Sequence, residues 1–449
     1  MAELPRRGVL QGAAAAAALA GSATAAEARR PHRVGAIGTG WFGKLDLFSL
    51  MQIAPVEVVA LADVDRNMVA DAADKVMQRS DSVRRPTHRP AIYHDYREML
   101  ARHHLDIVIV ATPDHWHALP TIAAINAGAH VYMEKPVTVD IREGEAVIAA
   151  ARAKNRVVQA ATQRRTSPFV QDAKARVIEA GLLGKVGHVE TFCYYHQRPA
   201  HFSPPQQPPE NLDWDFYCGP APLIPFRREM HIRDWRAFFE FGNGYMGDVG
   251  VHMIDTARYL LGLDWPKRIS CDGGVFVDRL SPSNVPDVQS ATLEFDDLMM
   301  TWTNRQWGSM PDEDEQWGAA LYGEKGQLRI YNKGYKFIPL EGAPIASRLG
   351  DETGRYPLDA TWWLNWEQPL AALTRYHMRD FLDAVDAGRR PTADIEEGHK
   401  STACCILANT AMKLGRTLNW DGRHVVGDAE ADAALARAYR APWMHPSAI

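Results

Sequence analysis

A glycine motif placed between a short apolar strand and a helix restricts the fold of this chain more than any other feature. Residues 34–37 form the apolar segment, and Gly38, Gly40 and Gly43 follow it with the spacing GxGxxG. The first glycine permits a tight turn, the second lets the backbone approach a pyrophosphate, and the third lets the helix pack on the strand. The motif predicts a dinucleotide site with the phosphates at the helix N-terminus.

An acidic residue ends the next predicted strand. Asp63 ends the strand-like segment that begins at Val56, and it lies 20 residues beyond Gly43. At this spacing a carboxylate accepts hydrogen bonds from the ribose hydroxyls of adenosine. Its charge would repel the additional phosphate of NADP, although the nearby Arg66 could accommodate that phosphate. We therefore predict NAD as the cofactor, with NADP as the alternative.

Strand-like and helix-like segments alternate from the glycine motif to about residue 163. Apolar strands separated by helices are typical of a parallel sheet that is covered by helices on both faces. Ligands of such sheets bind beyond the carboxyl ends of the strands. The residues that follow these strand ends, and that we expect around the cofactor, are Thr112, Pro113, His117, Glu134, Lys135, Gln163 and Arg164.

Two histidines that are one residue apart, His115 and His117, raise the alternative of a metal site. A zinc ion would need further ligands at a suitable spacing, and none is evident in the sequence. The five cysteines form no CxxC pair, which argues against a structural zinc site or a disulfide framework. We predict no metal, and we assign His117 and Trp116 to the nicotinamide end of the pocket.

The pattern changes after about residue 164. Segments typical of antiparallel strands follow a helix, and GEKG at 323–326 resembles a hairpin turn. A segment rich in proline and aromatic residues, 198–225, is too long for a simple connection, and we expect an ordered loop over a binding site. The predicted fold class is α/β, with an N-terminal Rossmann domain and a C-terminal α/β domain whose sheet is open and largely antiparallel.

A glycine-rich segment of the second domain leads into a helix that carries two acids and a histidine. Asp248, His252 and Asp255 lie at i, i+4 and i+7, on one face of this helix. In one interpretation Asp248 caps the helix and His252 is structural. In the other, Asp248 or Asp255 orients an imidazole that accepts a hydroxyl proton while hydride leaves the carbinol carbon. The predicted nicotinamide site favours the second interpretation.

Three segments together resemble the Gfo/Idh/MocA oxidoreductases, the group of glucose-fructose oxidoreductase and inositol dehydrogenase. They are GTGWFG, which contains Trp41 and Phe42, the stretch from TPDHWH to MEKP, and GNGYMGDVGVHMID. The resemblance implies a Rossmann domain followed by an open-faced α/β domain that mediates dimers or tetramers. It also implies that Lys135 hydrogen-bonds the reacting oxygen and that His252 is the acid–base group with Asp248 beside it. Members of the family act mostly on sugars and cyclitols.

The N-terminus resembles a twin-arginine export signal. Arg6 and Arg7 precede an alanine-rich stretch that is too short to span a bilayer, although Val9 stands where such signals usually have phenylalanine. We expect the twin-arginine machinery to export the folded protein to the periplasm, without a stable membrane anchor. The expected divisions are a signal peptide at 1–28, a Rossmann domain at 32–163, a substrate and oligomerisation domain at 164–425 and a tail at 426–449.

The predicted activity is hydride transfer between nicotinamide and a ring hydroxyl of a sugar, cyclitol or glycoside, with a tightly bound and recycled cofactor. The net charge of −5 argues against a nucleic-acid surface. One alternative is a redox-neutral, NAD-dependent glycoside hydrolase that oxidises a ring hydroxyl, eliminates the aglycone, adds water and returns the hydride. Another is a noncatalytic, nucleotide-dependent sugar sensor. The expected assembly is a homodimer or homotetramer.

Overall fold

The N-terminal part of the chain forms a parallel sheet. The structure, a computed structural model, describes residues 30–194, 202–231, 233–308, 316–352, 354–361 and 368–446. Within these ranges the first sheet has six strands, all parallel, in the order β3-β2-β1-β4-β5-β6. They are β1 (Arg33–Ile37), β2 (Glu57–Ala62), β3 (Ala91–Tyr93), β4 (Ile107–Val110), β5 (His130–Met133) and β6 (Val158–Ala160). The strand order reverses between β1 and β4, which is where ligands of such sheets bind.

Helices cover both faces of this sheet. They are α1 (Trp41–Ile53), α2 (Arg66–Gln78), α3 (Tyr96–Arg102), α4 (Ala118–Asn126) and α5 (Ile141–Ala153). Asp65, Asp95 and Asp140 cap α2, α3 and α5, because their carboxylates accept first-turn N–H groups that have no partner within the helix. Successive strand residues pack on opposite faces, as Val131 and Tyr132 do in β5. The strands are therefore mostly apolar, as a doubly covered sheet requires, and polar residues such as Arg33, Glu57 and His130 stand at strand starts.

The C-terminal part forms a mixed sheet. Over the described residues it has nine strands in the order β14-β13-β12-β11-β7-β10-β9-β8-β15. They are β7 (Val186–Cys193), β8 (Arg268–Gly274), β9 (Val288–Glu294), β10 (Met299–Arg305), β11 (Trp317–Gly323), β12 (Gly326–Ile330), β13 (Gly334–Pro339), β14 (Ile345–Arg348) and β15 (Leu418–Asn419). Neighbours are antiparallel except for β7 and β10, which are parallel. Buried and less buried residues alternate along β10, so one face packs on helices and the other is open.

The helices of the second part connect the two sheets. They are α6 (Pro168–Ala173), α7 (Trp214–Cys218), α8 (Val251–Leu261), α9 (Gln368–Ala387), α10 (Ile395–Leu414) and α11 (Ala429–Ala433). Helices α8 and α10 pack on the mixed sheet, where Met253 and Leu407 enter its core. Helix α9 instead places Met378 and Phe381 in the apolar cluster beside α1. The second domain is thus anchored directly to the helix that begins at the glycine motif.

The predicted fold class is confirmed. The GEKG turn joins β11 and β12, because Gly323 pairs with Gly326. The sequence did not predict β3, β13, β14 or β15, which are short strands at or near the edges of their sheets. Runs of two to six residues are too short for a period-2 pattern to stand out. No helix in the described ranges has both the length and the apolar character needed to cross a bilayer.

Candidate active site

Two glycines of the motif occupy positions that no side chain could fill. Gly38 has a φ of +83°, and a Cβ there would lie 2.6 Å from the carbonyl oxygen of Ala111. A Cβ at Gly43 would lie 2.0 Å from the carbonyl oxygen of Gly38, so α1 packs directly on the turn. At Gly40 a Cβ would meet only open space. The backbone at the start of α1 is therefore accessible to a ligand phosphate.

A cavity of about 1040 Å³ extends from this turn along the carboxyl ends of the strands. We call it the cofactor cavity. The predicted site residues that line it are Gly38, Gly40, Trp41, Phe42, Asp63, Thr112, Pro113, His117, Glu134 and Lys135. Gly43 does not line it, because this glycine lies beneath the turn. Its far wall comes from the second domain, through Phe216, Tyr217, Trp235 and Arg236.

Asp63 lies in the part of the cofactor cavity beyond β2. Its Oδ2 accepts the Thr39 N–H at 2.7 Å and the Thr39 hydroxyl at 3.0 Å, while its Oδ1 accepts the Asp65 N–H at 3.0 Å. A carboxylate has about four acceptor positions, so Asp63 can still accept a ribose hydroxyl. Arg66, which could have received an additional phosphate, donates to the Glu210 carbonyl and does not line the cavity. This arrangement suits NAD better than NADP.

The two histidines between β4 and α4 bind backbone carbonyls. The ring nitrogens of His117 lie 2.6 Å from the Pro136 carbonyl oxygen and 2.9 Å from that of Thr112, so this residue joins two segments of the cavity wall. His115 Nε2 lies 2.8 Å from the Tyr217 carbonyl oxygen, and Trp116 Nε1 donates to the same oxygen at 2.8 Å. The group of potential metal ligands found among the described residues includes neither histidine. Trp116 and His117 both line the cofactor cavity.

A second cavity, of about 1530 Å³, adjoins the first. The two share Trp41, Phe42, Lys135 and Arg236 in their linings. Gln163 and Arg164, which were predicted around the cofactor, line the second cavity instead. The Trp317 ring lies 4.2 Å from the Arg164 guanidinium in the same lining. A flat aromatic surface beside polar groups is suited to a carbohydrate ring.

Lys135 and Asp248 meet where the two cavities join. Lys135 Nζ donates to Asp248 Oδ1 at 2.6 Å and to the Asp248 carbonyl oxygen at 3.0 Å, and Arg236 Nε donates to Oδ1 at 3.3 Å. Burial alone would raise the pKa of Asp248, but the charges of Lys135 and Arg236 outweigh burial and hold this pKa well below its usual range. Asp248 is therefore ionised. An ammonium group has three N–H donors, so Lys135 keeps one for a substrate oxygen.

His252 lines the second cavity one helical turn beyond Asp248. Burial, with the charges of Lys135 and Arg164, lowers the pKa of His252 well below 6.5, so the imidazole is neutral and able to accept a proton. Its Nδ1 has no hydrogen-bond partner within the described part of the chain. We expected Asp248 or Asp255 to orient this imidazole. Neither carboxylate forms a hydrogen bond with His252, so this expectation is wrong if orientation requires a direct hydrogen bond.

Asp255 lies outside the site. Its carboxylate is fully buried and pairs with Arg165, whose Nε donates at 2.9 Å, and with the Ser401 hydroxyl at 2.7 Å. The shared helix face was read correctly from the sequence, but this face extends past the cavity into the contact with α10. The helix-cap alternative for Asp248 is also wrong, because Asp248 lies inside a π-helical turn, Met246–Gly250, that continues into α8.

Comparison with known proteins identifies the family. A model described as "Oxidoreductase family, NAD-binding Rossmann fold" (GFO_IDH_MocA) matches residues 32–162, and the model of the family's C-terminal alpha/beta domain matches 211–419. The chain belongs to the Gfo/Idh/MocA oxidoreductase family. Its first domain is accordingly the NAD-binding Rossmann domain of that family, and the expected resemblance is confirmed.

Individual relatives in this family are distant. Levoglucosan dehydrogenase of Pseudarthrobacter phenanthrenivorans is 29% identical over 278 residues, which cover 60% of this chain and 63% of the relative. Inositol 2-dehydrogenase 1 of Saccharopolyspora erythraea is 32% identical over 183 residues, covering 39% of this chain and 49% of the relative. The chain thus spans half to two thirds of the length of these curated relatives. A solved levoglucosan dehydrogenase, in complex with NADH and levoglucosan, shares the fold with a TM-score of 0.64 at 19% identity, over 87% of this chain and 99% of that one.

The residues of this Gfo/Idh/MocA chain fit a bound NAD. The tight turn at Gly38, the open backbone at Gly40 and the remaining acceptor capacity of Asp63 supply the contacts that a dinucleotide needs. When bound, NAD supplies the hydride acceptor. Lys135 and the neutral His252 both line the second cavity, which adjoins the cofactor cavity at Lys135.

Two site residues escaped the sequence reasoning. Asp114 lines the cofactor cavity, and burial raises its pKa to about 7 against the opposing charges of Arg236 and Lys135. Arg236 lines both cavities and binds Asp248. Asp114 follows Thr112 and Pro113 at the end of β4, so its position after a strand end could have identified it as a site residue. Arg236 lies in a short helical turn, Asp234–Ala237, that precedes the GNGYMGD motif but is not part of it, and nothing in its local sequence marked it.

The loop predicted to cover the binding site does form a wall of the cofactor cavity. Its described part, 202–225, pairs with the start of α2, where Asn211 Nδ2 donates to Asp65 Oδ1 at 2.7 Å. Helix α7 then presents Phe216 and Tyr217 to the cavity. Residues 198–201 of the predicted loop lie outside the described residues.

The C-terminal tail holds this wall from behind. The Trp443 ring lies edge-on to Trp116 at 4.7 Å and stacks on Phe216 at 5.6 Å, where distances join ring centroids. Arg440 donates to the Asp215 carboxylate at 2.7 Å. The predicted tail is therefore an integral part of the structure, and it supports two aromatic residues of the cofactor cavity.

One group of potential metal ligands lies beneath the tail, in the described residues. It comprises Asp140, Glu143 and His445. Their carboxylate oxygens accept protein hydrogen bonds, including the Tyr439 hydroxyl on Glu143 at 2.5 Å and the Arg437 N–H on Asp140 at 2.9 Å. These contacts fasten the tail to the start of α5 and account for the acidic side chains without a metal.

Proposed function

We propose that this protein oxidises a ring hydroxyl of a sugar, a cyclitol or one of their derivatives, with NAD as hydride acceptor. The 2.6 Å contact between Lys135 Nζ and Asp248 Oδ1, at the junction of the two cavities, carries the proposal. It places a charged hydrogen-bond donor where a hydroxyl from the second cavity would meet the end of a dinucleotide in the first. The relatives named for levoglucosan and inositol support the substrate class.

A panel of sugars, cyclitols and glycosides tests this proposal. Purified protein is incubated with each compound, and absorbance of the reduced cofactor and the products are recorded together. We expect oxidation of at least one ring hydroxyl, and loss of that turnover in Lys135→Ala. Cleavage of a glycoside without net cofactor reduction would establish the redox-neutral alternative. Binding of sugar and nucleotide without any product would establish the sensor.

We also propose that the protein works outside the cytoplasm with a cofactor that it does not exchange. The twin-arginine-like segment supports export, and it lies outside the described residues. The wall formed by α7 and the tail supports retention, because a ligand in the cofactor cavity would be enclosed by both domains. Recycling requires a second carbonyl substrate or return of the hydride to the same sugar.

The open face of the mixed sheet supports a homodimer or homotetramer, which we propose as the assembly. Strands β9 and β10 alternate buried and accessible residues, so half of their side chains face away from the helices. A sheet face of this kind is commonly covered by another layer. The mass of the protein in solution checks this proposal, which is independent of the chemistry.

A further inference from the structure

The start of helix α2 lies beside the carboxylate that is placed to bind the adenosine ribose. Asp63 follows β2, and its Oδ1 accepts the N–H of Asp65, the residue that caps α2. NADP differs from NAD by a phosphate on the 2′-hydroxyl of this ribose. A ribose held by Asp63 would therefore bring that phosphate to the first residues of α2.

A helix start can hold a phosphate only through N–H groups that are not already used. The first four N–H groups of an α-helix have no partner within the helix, and phosphates bind proteins through such donors. In α2 they belong to Asp65, Arg66, Asn67 and Met68. Each of the four donates to an acceptor of this protein, and two of these acceptors come from side chains of the first domain.

The Asp65 carboxylate accepts two of the four groups. Its Oδ1 lies 2.8 Å from the backbone nitrogen of Asn67 and 3.2 Å from that of Met68. The N–H of Asp65 itself donates to Asp63 at 3.0 Å. Three donors at the start of α2 are thus filled from within the first domain.

The second domain fills the fourth donor and also holds the nearest arginine. We call residues 210–213, which belong to the predicted loop, the strap. The Asn211 carbonyl accepts the Arg66 N–H at 2.9 Å, and the Glu210 carbonyl accepts a hydrogen bond from the Arg66 guanidinium. Arg66 is the cation that could have received a 2′-phosphate, and the strap binds both its backbone and its side chain.

Two side chains of the second domain also bind Asp65. Asn211 Nδ2 donates to its Oδ1 at 2.7 Å, and His231 Nε2 lies 3.1 Å from its Oδ2. His231 lines the cofactor cavity and Asp65 does not, so a ligand in the cavity would meet His231 first. Burial alone would raise the pKa of Asp65, but hydrogen bonds from His231, Asn211 and Met68 outweigh burial and lower this pKa to about 2. The group that binds the strap is therefore an ionised carboxylate.

We propose that the second domain takes part in the choice of NAD over NADP, because the strap, His231 and Asp65 occupy the groups at the start of α2 that a 2′-phosphate would need. The charge of Asp63 is then only one part of this selection. The other part is occupancy, since a phosphate would have to displace protein acceptors and separate the strap from the first domain. NAD needs none of these donors, because its 2′-hydroxyl can donate to Asp63.

The relative affinity for NADPH and NADH tests this inference, which deepens the proposed function at the same NAD site and does not depend on the substrate. Each full-length protein is dialysed to equilibrium against equal concentrations of NADH and NADPH, and the bound nucleotides are then quantified by chromatography. Dialysis replaces any nucleotide that was present after purification. The ratio of bound NADPH to bound NADH gives the ratio of the two affinities.

The first variant, Asp63→Ser, removes the carboxylate beside the ribose, and we expect it still to prefer NADH. Adding Asp65→Gly to this variant releases two N–H groups and detaches Asn211 and His231, while glycine remains acceptable at a helix cap. We expect the NADPH to NADH ratio of this double variant to rise by about tenfold or more, the effect of one hydrogen bond to a charged group. Asp65→Ser, whose hydroxyl can cap only one N–H group, replaces the glycine variant if that protein does not fold.

Asp65→Asn, also added to Asp63→Ser, is the matched control. It removes the same charge as Asp65→Gly, but asparagine caps helices as well as aspartate does, and its amide can still bind Asn211 and His231. The donors at the start of α2 therefore stay filled, and the ratio should remain close to that of Asp63→Ser alone. Arg66→Ala should leave the wild-type ratio unchanged, because the strap already holds this side chain.

Equal gains from Asp65→Gly and Asp65→Asn would overturn the inference, since charge alone would then explain the selection. An unchanged ratio in Asp65→Gly would do so too, as would an Asp63→Ser protein that binds NADPH as tightly as NADH. A lower ratio in Arg66→Ala would show that this arginine reaches the phosphate and that the strap does not withhold it. A wild-type protein that binds neither nucleotide would instead contradict the proposed function, which separates the two failures.

Discussion

Lys135 lies where the two domains meet. It follows β5 of the first domain, and its ammonium is held by Asp248 of the second at 2.6 Å. Separating a buried pair of this kind leaves each charge without compensation, which costs free energy. The pair therefore fixes the positions of both side chains. The position of the ammonium therefore depends on the arrangement of both domains, and a small displacement of either would misplace it relative to a substrate oxygen.

Replacing Lys135 with alanine should lower kcat by about a hundredfold or more, the usual contribution of a positioned proton-donating or accepting group. The dissociation constant for NAD should change little, because the phosphate and adenosine contacts lie elsewhere in the cavity. Lys75→Ala is the control, since Lys75 forms an accessible pair with Asp71 on the surface of α2. Near-normal turnover in Lys135→Ala would remove it from the chemistry.

His252 should determine the acid limb of the rate profile. Its pKa is lowered below 6.5 by burial and by neighbouring cations, so the limb lies on the acid side of pH 6.5. The imidazole is neutral above that pKa and is protonated as pH falls through it, and kcat/KM should fall with it. His252→Ala should lose this limb, whereas His424→Ala, at a half-exposed histidine, should keep it. An identical limb in His252→Ala would assign it to another group.

Sequence spacing identified the site residues that lie in motifs. It did not identify the partners that site residues meet through tertiary contacts. Lys135 and Asp248 were found because strand ends and a helix start carry local signals. Asp255 shares the helix face of His252, but its carboxylate is paired with Arg165, which lies 90 residues away in the chain. Arg236 carries no local signal at all. Periodicity gives the direction of a side chain from its helix, whereas the partner it meets depends on the fold.

Helix α7 and the C-terminal tail form one structural unit across more than 200 residues of sequence. Arg440 binds the carboxylate of Asp215, which lies 225 residues earlier in the chain, and Trp443 stacks on Phe216. The described residues of the tail, 426–446, line neither cavity, so the tail acts through the aromatic residues that do. Its effect on the cofactor should therefore be on retention and not on chemistry.

Replacing Trp443 with alanine should speed the release of NADH by several-fold. The substitution removes an edge contact to Trp116 and a stacking contact to Phe216, and aromatic pairs contribute about 0.5–1.5 kcal/mol each beyond burial. Displacement of bound NADH, followed by fluorescence in a stopped-flow instrument, measures the rate. Met444→Ala is the control, because Met444 is 82% exposed. Equal release rates in both variants would show that the tail does not support the wall.

Most elements could be predicted from the sequence, because long apolar strands and amphipathic helices carry a strong period. The parallel pairing of β7 with β10 could not, since strand direction depends on the order in which distant segments join the sheet. The tail was treated as a separate terminal segment. Its sequence is rich in alanine, and only the packed structure shows that Trp443 and Arg440 find partners on α7.

At the scale of the whole molecule, residues of both domains line the cofactor cavity. The first domain supplies the turn and Asp63, and the second supplies Phe216, Tyr217 and Arg236 to the opposite wall. Helix α9 packs beside α1, and Arg375 of α9 donates to Gln52 of α1 at 2.8 Å within the buried interface. Under our proposal that the protein is exported and keeps its cofactor, walls from both domains would slow the exchange of nucleotide.

Protein purified without added nucleotide should therefore contain close to one NAD or NADH per chain. The full-length protein is denatured and the released nucleotide is quantified by enzymatic cycling. Gly43→Ala is the control for specific binding, because its Cβ would lie 2.0 Å from the Gly38 carbonyl oxygen and would displace the turn. Retention should be equal in a variant with Arg6→Lys and Arg7→Lys, since enclosure belongs to the folded domains and not to the export segment. An empty wild-type protein that binds NAD weakly and reversibly would contradict internal recycling, because such an enzyme would depend on cofactor from its surroundings at every turnover.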